Sequence, residues 1–338
     1  MKKIYVISAK QISIQQPLCE DWMTAPLRYE QDYVRCTDPD FRQFISAGEA
    51  RRMGKLFKRA LATSLSALSE GGIEHPDAII TGTGFGSAEN TGLFLDAMVR
   101  EGESLLKPTR FMQSTHNTTS SLIGIHTASH GYNSTYSQKF LSFDNALLDA
   151  WLQLRLDKIH SALVGCHDET TELFRTFLRK GGFVADCEIC SEGAVSLLLS
   201  DSAPQKSLCS LGGVWIKNRP SPEEIRGRAL KMLEENGLNP EDVGAVMTGM
   251  NGSETDSDYS AVLDSAVPEA LKLSYKPLFG NSFTAPALGV YAACHCLAQD
   301  RIPASLSPDR AEHSCGKAVL AVNIAERRHC SLILLMRV

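Results

Sequence analysis

The sequence predicts an α/β protein made of two copies of one unit, stacked as a five-layer αβαβα sandwich. Three observations carry that prediction. The chain repeats itself: Arg59-Ala60-Leu61, a helix-like run to Leu68, Gly72-Ile73, Asp77 and Ala78-Ile79-Ile80-Thr81-Gly82 recur as Arg228-Ala229-Leu230, a run to Leu233, Gly237-Leu238, Asp242 and Ala245-Val246-Met247-Thr248-Gly249. The two Thr-Gly pairs stand roughly half the chain apart, and one repeat of that length is a duplicated α/β domain rather than a solenoid, whose period is about 20–50 residues. Short runs rich in Val, Ile and Leu alternate with amphipathic helices, and near-continuous apolar strands belong to sheets covered on both faces. Finally, Ala146-Leu147-Leu148-Asp149-Ala150-Trp151-Leu152 is apolar around most of a helix, which places that helix between layers.

Taken in order, the chain opens with a strand over 3–8, followed by a helix over 47–69 and the strand 78–82. A buried helix over 145–156 leads to the strand 162–164, and the half closes with the strand 194–199. The polar, proline-bearing segment 201–207 joins the halves, giving units 1–205 and 206–338. The second half then reads strand 214–216, helix 222–236, strand 245–249, helix 285–299, strand 318–322 and the closing strand 330–335, which answers 194–199.

Of the 338 residues, 43% are hydrophobic and 22% charged, which suits a globular chain long enough to bury a core. Lys+Arg 34 against Asp+Glu 39 gives a net charge of −5, with no sign of a nucleic-acid partner. The longest apolar runs fall far short of the roughly 18 residues of a membrane helix, so no membrane insertion is expected. Met1-Lys2-Lys3-Ile4-Tyr5-Val6-Ile7 is basic then apolar, but the apolar stretch stops at Ala9-Lys10 and reads as a strand. Ten cysteines at irregular spacings, several within apolar segments, fit a reducing cytoplasm better than a disulfide scaffold. Cys187-Glu188-Ile189-Cys190 has the CxxC form but lacks a second ligand pair, so neither metal nor cofactor is expected there.

Several other patterns invite a functional reading beside a plainer one. Gly82-x-Gly84-x-Gly86 follows a strand, yet the spacing departs from the dinucleotide fingerprint. His160, His167 and Asp168-Glu169 flank the strand at 162–164 as a candidate metal cluster or simply a polar loop. Arg51, Lys55 and Arg59 recur every four residues as a basic helix face, suited to an acidic carrier protein or to solvent. His126 and His130 share one face of an apolar helix as core or interface residues.

An ordered series of segments carries a resemblance. Glu49 to Ser69 precedes the loop Gly82-Thr83-Gly84-Phe85-Gly86. Ser114-Thr115-His116-Asn117, Ser191-Glu192-Gly193-Ala194 and Lys276 with Gly280 follow. Together they resemble the β-ketoacyl-acyl carrier protein synthases, the ketosynthases of thiolase fold. The resemblance implies a thiolase-like sandwich and a site built from one Cys and two His. The Cys position falls on Leu141 or Ser142 within Gln138-Lys139-Phe140-Leu141-Ser142-Phe143-Asp144-Asn145. The first His falls on Asn251, ahead of Gly252, Ser253 and Thr255, and the second on Asn281. The glycine-rich gate falls near Ala325-Glu326-Arg327-Arg328.

Every group of the condensing triad is therefore altered. A thiolate must take the acyl chain, and two imidazole N–H groups must steady the enolate left by decarboxylation. Ser142 reads either as a nucleophile lacking its base or as the cap of a helix beginning near Asn145. Asn251 and Asn281 read either as amide donors to an oxyanion or as packed replacements for His. Lys276 could steer a carboxylate or pair with an acid. The resemblance implies a non-condensing subunit similar to chain length factors. Its expected partners are an acyl carrier protein and either an active ketosynthase or a second copy of itself. The alternative is a divergent synthase, acyltransferase or malonyl-thioester decarboxylase, and a third reading is a plain homodimeric ketosynthase with Cys166 as its misaligned nucleophile.

Overall fold

The strands of this chain are buried on both faces because their sequences are apolar throughout rather than alternating. Gly193–Ser200 and Ser161–Asp168 are buried at every position, and His329–Met336 at six of its eight. A computed structural model describes residues 2–103, 106–203, 207–249, 265–326 and 329–338. The strands are β1 (Tyr5–Ile12), β2 (Ala78–Gly82), β3 (Tyr132–Tyr136), β4 (Ser161–Asp168), β5 (Gly193–Ser200), β6 (Cys209–Asn218), β7 (Val243–Thr248), β8 (Leu271–Ser274), β9 (Ala318–Ala325) and β10 (His329–Met336). The principal helices are α1 (Lys55–Gly71), α2 (Ala88–Glu101), α3 (Pro108–Ser114), α4 (Thr118–His126), α5 (Ser142–Arg155), α6 (Glu172–Lys180), α7 (Pro222–Glu235) and α8 (Ala285–Gln299).

The strand order is β3-β2-β4-β5-β1-β6-β10-β9-β7-β8. Counted within its own half, each set of five runs third, second, fourth, fifth, first. The pairing directions also repeat: parallel on both sides of β2 and β7, antiparallel at β4–β5, β5–β1, β9–β10 and β10–β6. Duplication at the level of sequence thus reappears as duplicated topology.

Two separate sheets are expected from the repeat, whereas one continuous ladder is observed. Its seam is narrow, because β1 meets β6 only at Tyr5↔Ser210 and Val6↔Cys209. Away from that seam the two leaves part, and helices fill the space. The central layer is α5, packed on β2 and β4 and also on β6, with α8, packed on β7 and β9 and also on β1 and β5. α1 covers the outside of β1, β4 and β5, and α7 covers β10. This is the αβαβα stack.

The glycine stops act as expected. Gly72 and Gly237 take left-handed conformations, φ 67° and 69°, at the ends of α1 and α7, where a side chain would be strained. The helix expected over 47–69 is broken. Ser46 and Glu49 form a capping box on a single turn, Ala47–Ala50, and the chain straightens at Gly54 before α1 begins. The buried helix expected over 145–156 starts at Ser142 instead, and Leu152 emerges to solvent. α8 is the more enclosed of the two central helices, buried from Ala285 to Leu297. The unit boundary placed at 205/206 lies outside the described residues.

Candidate functional site

The N-terminal end of α5 is where the resemblance puts the chemistry, and the local chain there is tightly constrained. Lys139 has φ 49°, which for a non-glycine residue costs energy that the surroundings must supply. Its ammonium pairs with Glu326 at 3.1 Å and lies over the Phe183 ring. Gly82 must be glycine for the same turn to dock, because a Cβ there would stand 2.5 Å from the Ser142 carbonyl carbon.

Leu141 and Ser142 follow this turn, and both are buried. Leu141 packs in an apolar cluster with Phe140, Leu178, Val184, Cys190, Phe283 and Ala325. The Ser142 hydroxyl accepts from Gln138 N at 2.8 Å and has the carbonyls of Lys139, at 2.7 Å, and Thr83, at 3.0 Å, as acceptors for its single proton. It therefore ties the turn to the glycine loop rather than capping a helix starting at Asn145. Main-chain groups occupy it fully, and no imidazole among the described residues bonds to it.

Asn281 and Lys276 meet on a carboxylate that spacing alone does not reveal. Glu188 Oε1 accepts from Asn281 Nδ2 at 2.8 Å and from Lys276 Nζ at 3.1 Å, while Glu188 Oε2 accepts from Ala185 N at 2.6 Å. Of the two readings of Lys276, pairing with an acid is the one observed. The network also fixes the amide of Asn281. Turned over, its oxygen would face Glu188 Oε1, so the NH2 group is committed to Glu188 and to Phe183 O at 3.4 Å. The oxygen, Oδ1, is buried without a partner. In this arrangement Asn281 presents an acceptor, not a donor for an oxyanion. Asn251, with Gly252, Ser253 and Thr255, lies outside the described residues.

Aromatic rings fill the space around these groups. Phe283 is edge-on to Phe85 at 4.7 Å, Phe140 at 4.8 Å and Phe183 at 6.0 Å. It presses so closely on the glycine loop that a Cβ at Gly84 would stand 2.0 Å from the ring.

A buried polar frame holds this region. Glu192 accepts from Arg59 Nη1 at 2.7 Å, Thr170 N at 3.1 Å and Cys36 N at 3.2 Å. Arg59 also meets Asp38 at 2.5 Å and is almost wholly buried, so it does not belong to a basic surface face with Arg51 and Lys55. Asp168 accepts from Thr83 Oγ1 and the N–H groups of Gly84 and Phe85, and Glu169 from Ser87 Oγ and Glu89 N. These carboxylates hold the Gly82–Glu89 loop through its main-chain N–H groups and hydroxyls. Burial pushes Asp168 to about 6 and Glu169 to about 7, against the downward pull of those donors. Asp144, in the first turn of α5, reaches across to the other half at Ser331 Oγ, 2.6 Å, and Asn323 Nδ2, 3.3 Å, and burial raises it to about 6.

The remaining candidates do not converge. Burial holds the Cys166 thiol protonated, well above its ordinary range, near Phe283 O and Thr284 Oγ1. His167 is buried beside Ser196, and burial lowers it to about 3. His160 is exposed and pairs with Asp201. His130 lies beyond the end of α4, so it shares no helix face with His126. Cys187 is exposed and Cys190 buried.

The sequence profile described as "Beta-ketoacyl synthase, N-terminal domain" matches residues 7–223. The chain belongs to the β-ketoacyl synthase family. Its fold is similar to that of the ishigamide ketosynthase/chain length factor, with a TM-score of 0.84 at 16% identity over 100% of this chain and 99% of that one. A β-ketoacyl synthase from Burkholderia phymatum STM815 matches with a TM-score of 0.84 at 15% identity, covering 100% of both chains. A ketosynthase in complex with its chain length factor from Xenorhabdus doucetiae matches with a TM-score of 0.78 at 17% identity over 100% of this chain and 98% of that one. At such identities the likeness is one of fold. No curated protein matches the sequence. Within this β-ketoacyl synthase scaffold, sequence reasoning missed Glu188 as the meeting point of Lys276 and Asn281, and Phe283 as a plug. Both act across about 90 residues or more of chain, so no local spacing signals them.

Proposed function

We propose that this chain is a non-condensing member of its family, a chain-length-factor-like subunit of fatty acid, polyketide or polyene biosynthesis. The observation that carries the reading is the chemistry at the head of α5. An inert Leu141 stands among aromatic rings, the Ser142 hydroxyl is spent on main-chain groups, and the Asn281 NH2 is bound to Glu188. A condensation catalyst needs an activated nucleophile and donors poised for an enolate. A subunit that shapes a cavity for a partner needs only the fold.

Association with another chain has its own support. β3 ends the sheet, and among the described residues its outer edge has no strand partner. The neighbouring elements expose Phe111 and Met112 of α3, Ile125 of α4, 73% exposed, and Tyr132 of β3 itself. α3, α4 and β3 touch in series, so these side chains extend one surface. An active ketosynthase, or a second copy of the chain, is the proposed occupant. The solved neighbours include a ketosynthase bound to its chain length factor and a type II polyketide ketosynthase bound to its acyl-carrier protein. By analogy, an acyl carrier protein is the proposed carrier of the growing chain, and the proposed setting is the cytoplasm. Among the described residues no helix is long and apolar enough to cross a membrane.

The test is co-expression with a Cys-His-His ketosynthase, sizing of the product by analytical ultracentrifugation, and assay of the isolated chain with acyl- and malonyl-carrier protein. A stoichiometric complex is expected, with no acyl-enzyme and no β-ketoacyl product from the chain alone. A covalent acyl-enzyme that goes on to β-ketoacyl product would overturn the reading. CO2 release above background that Asn251→Ala abolishes would replace it with a decarboxylase.

A further inference from the structure

On the side of β9 and β10 that faces the central layer, Val319, Ala321, Ile333 and Leu335 belong to the main core, and Asn323 stands opposite Ser331 in the ladder. Asp144, in the first turn of α5, meets both and is 1% exposed. We propose that Asp144 is a pH-sensitive clasp between the two halves: the turn at the head of α5 stays shut while this carboxyl is neutral and loosens when it ionises. The inference does not depend on the chain-length-factor reading.

The geometry of the clasp couples the carboxyl to the turn. The Asn323 amide donates both to Asp144 Oδ2, at 3.3 Å, and to Phe140 O, at 3.0 Å, so one side chain of the C-terminal half holds the acid and the turn ahead of it. Ser331 Oγ stands 2.6 Å from Asp144 Oδ1. The cavity beside these three residues, about 10 Å³, has room for no more than one water. A neutral carboxyl suits such a place: its O–H has the Ser331 oxygen as acceptor, and its carbonyl takes the Asn323 amide. An ionised one has two donors and, among the described residues, no ion-pair partner, so its burial is costly. The groups around it bring no compensating charge. Cys166 of β4 and Cys330 of β10 are thiols kept protonated by burial, and Tyr275 of the cavity wall is a phenol. Lys139 is paired with Glu326, and Asp168 and Glu169 are acids bound to the glycine loop. His329, half-buried, lies two places before Ser331 on the same side of β10. Shut, the carboxyl keeps its proton to about pH 6; opened to water, it loses it near its ordinary value. Closure is therefore strongest at low pH and weakens as pH rises from about 4 through 6. Lys139, at φ 49°, gives the turn strain to release, and the side chains bared are those around Leu141.

Amide hydrogen exchange of the full chain, followed by mass spectrometry and divided by the intrinsic rate at each pH, tests the proposal. Peptides covering residues 138–146 should lose about tenfold in protection between pH 5 and pH 7.5, while those covering α7 hold constant. Asp144→Asn, which keeps the shape and cannot ionise, should remove that pH dependence. Asp144→Leu, neutral and of similar size, should remove it too, so the test survives if the amide variant fails to fold. Protection over 138–146 that does not change with pH in the wild type overturns the proposal. A tenfold fall that persists in either variant also overturns it, and places the titration at Asp168, Glu169 or His329 instead.

Discussion

Phe283 is the residue whose removal speaks most directly to how the site is filled. It is 2% exposed, sits edge-on to three other rings, and lies against Gly84. Deleting the ring in Phe283→Ala loses about 1.5–3 kcal/mol of apolar burial and about 0.5–1.5 kcal/mol for each well-formed aromatic pair. These contributions are not additive, and the expected cost is about 3–5 kcal/mol, the usual range for truncating a buried Phe with the void included. Gly84→Ala perturbs the same contact from the opposite side. Its methyl would overlap the Phe283 ring at 2.0 Å, and overpacking of this kind costs about 1–3 kcal/mol. With the ring removed, the closest remaining Phe283 atom is its Cβ at 2.7 Å, so the strain is eased but not abolished. The double variant should therefore be more stable than the sum of the single costs predicts, by at least about 1 kcal/mol, within the span seen for residues in contact. Urea unfolding of the four proteins, followed by circular dichroism, reads the cycle. Additivity within about 0.5 kcal/mol would show that ring and loop do not press on each other, and the plug would have to be abandoned.

Arg59→Met should cost about 3–5 kcal/mol in the same assay, because it strands Glu192 as a buried charge, and adding Glu192→Gln should recover much of the loss. Glu169 keeps its proton up to about pH 7 when folded but loses it near its ordinary value when unfolded, so the stability it contributes is full at low pH and lost as pH rises from about 4.5 to 7. Glu169→Gln should flatten that part of the stability–pH curve; an unchanged slope would count against it. Asn281→Asp sets a second carboxylate against Glu188, and two carboxylates in one site resist joint ionisation. Thermal melts should show this variant losing stability as pH rises through neutrality and recovering toward wild type near pH 5, with no such trend in Asn281→Ala.

The duplicated α/β plan was legible because it is written in short-range terms. Apolar strands, glycine stops at 72 and 237, and the repeat around Thr81-Gly82 and Thr248-Gly249 each depend on residues close together in the chain. The resemblance to the ketosynthases was legible for the same reason, because it rests on an ordered series of short segments such as Gly82-Thr83-Gly84-Phe85-Gly86 and Ser191-Glu192-Gly193-Ala194. What Arg59, Glu188 and Phe283 do was not legible. Arg59 falls in a basic four-residue rhythm that suggests a surface, yet tertiary packing buries it against Glu192, 133 residues away. Ser142 looks like a helix cap, but its partners lie in the preceding turn and in the glycine loop.

The amino-acid order by itself determined the elements, their repetition and the likeness to the β-ketoacyl synthase family, since these follow from local pattern and residue type. Only the folded arrangement decided which way the Asn281 amide faces, that rings close over Leu141, and that the leaves part beside Trp151. Those outcomes depend on side chains brought together from distant segments, where a hydrogen bond or a steric overlap is settled over a few tenths of an ångström that no spacing along the chain encodes.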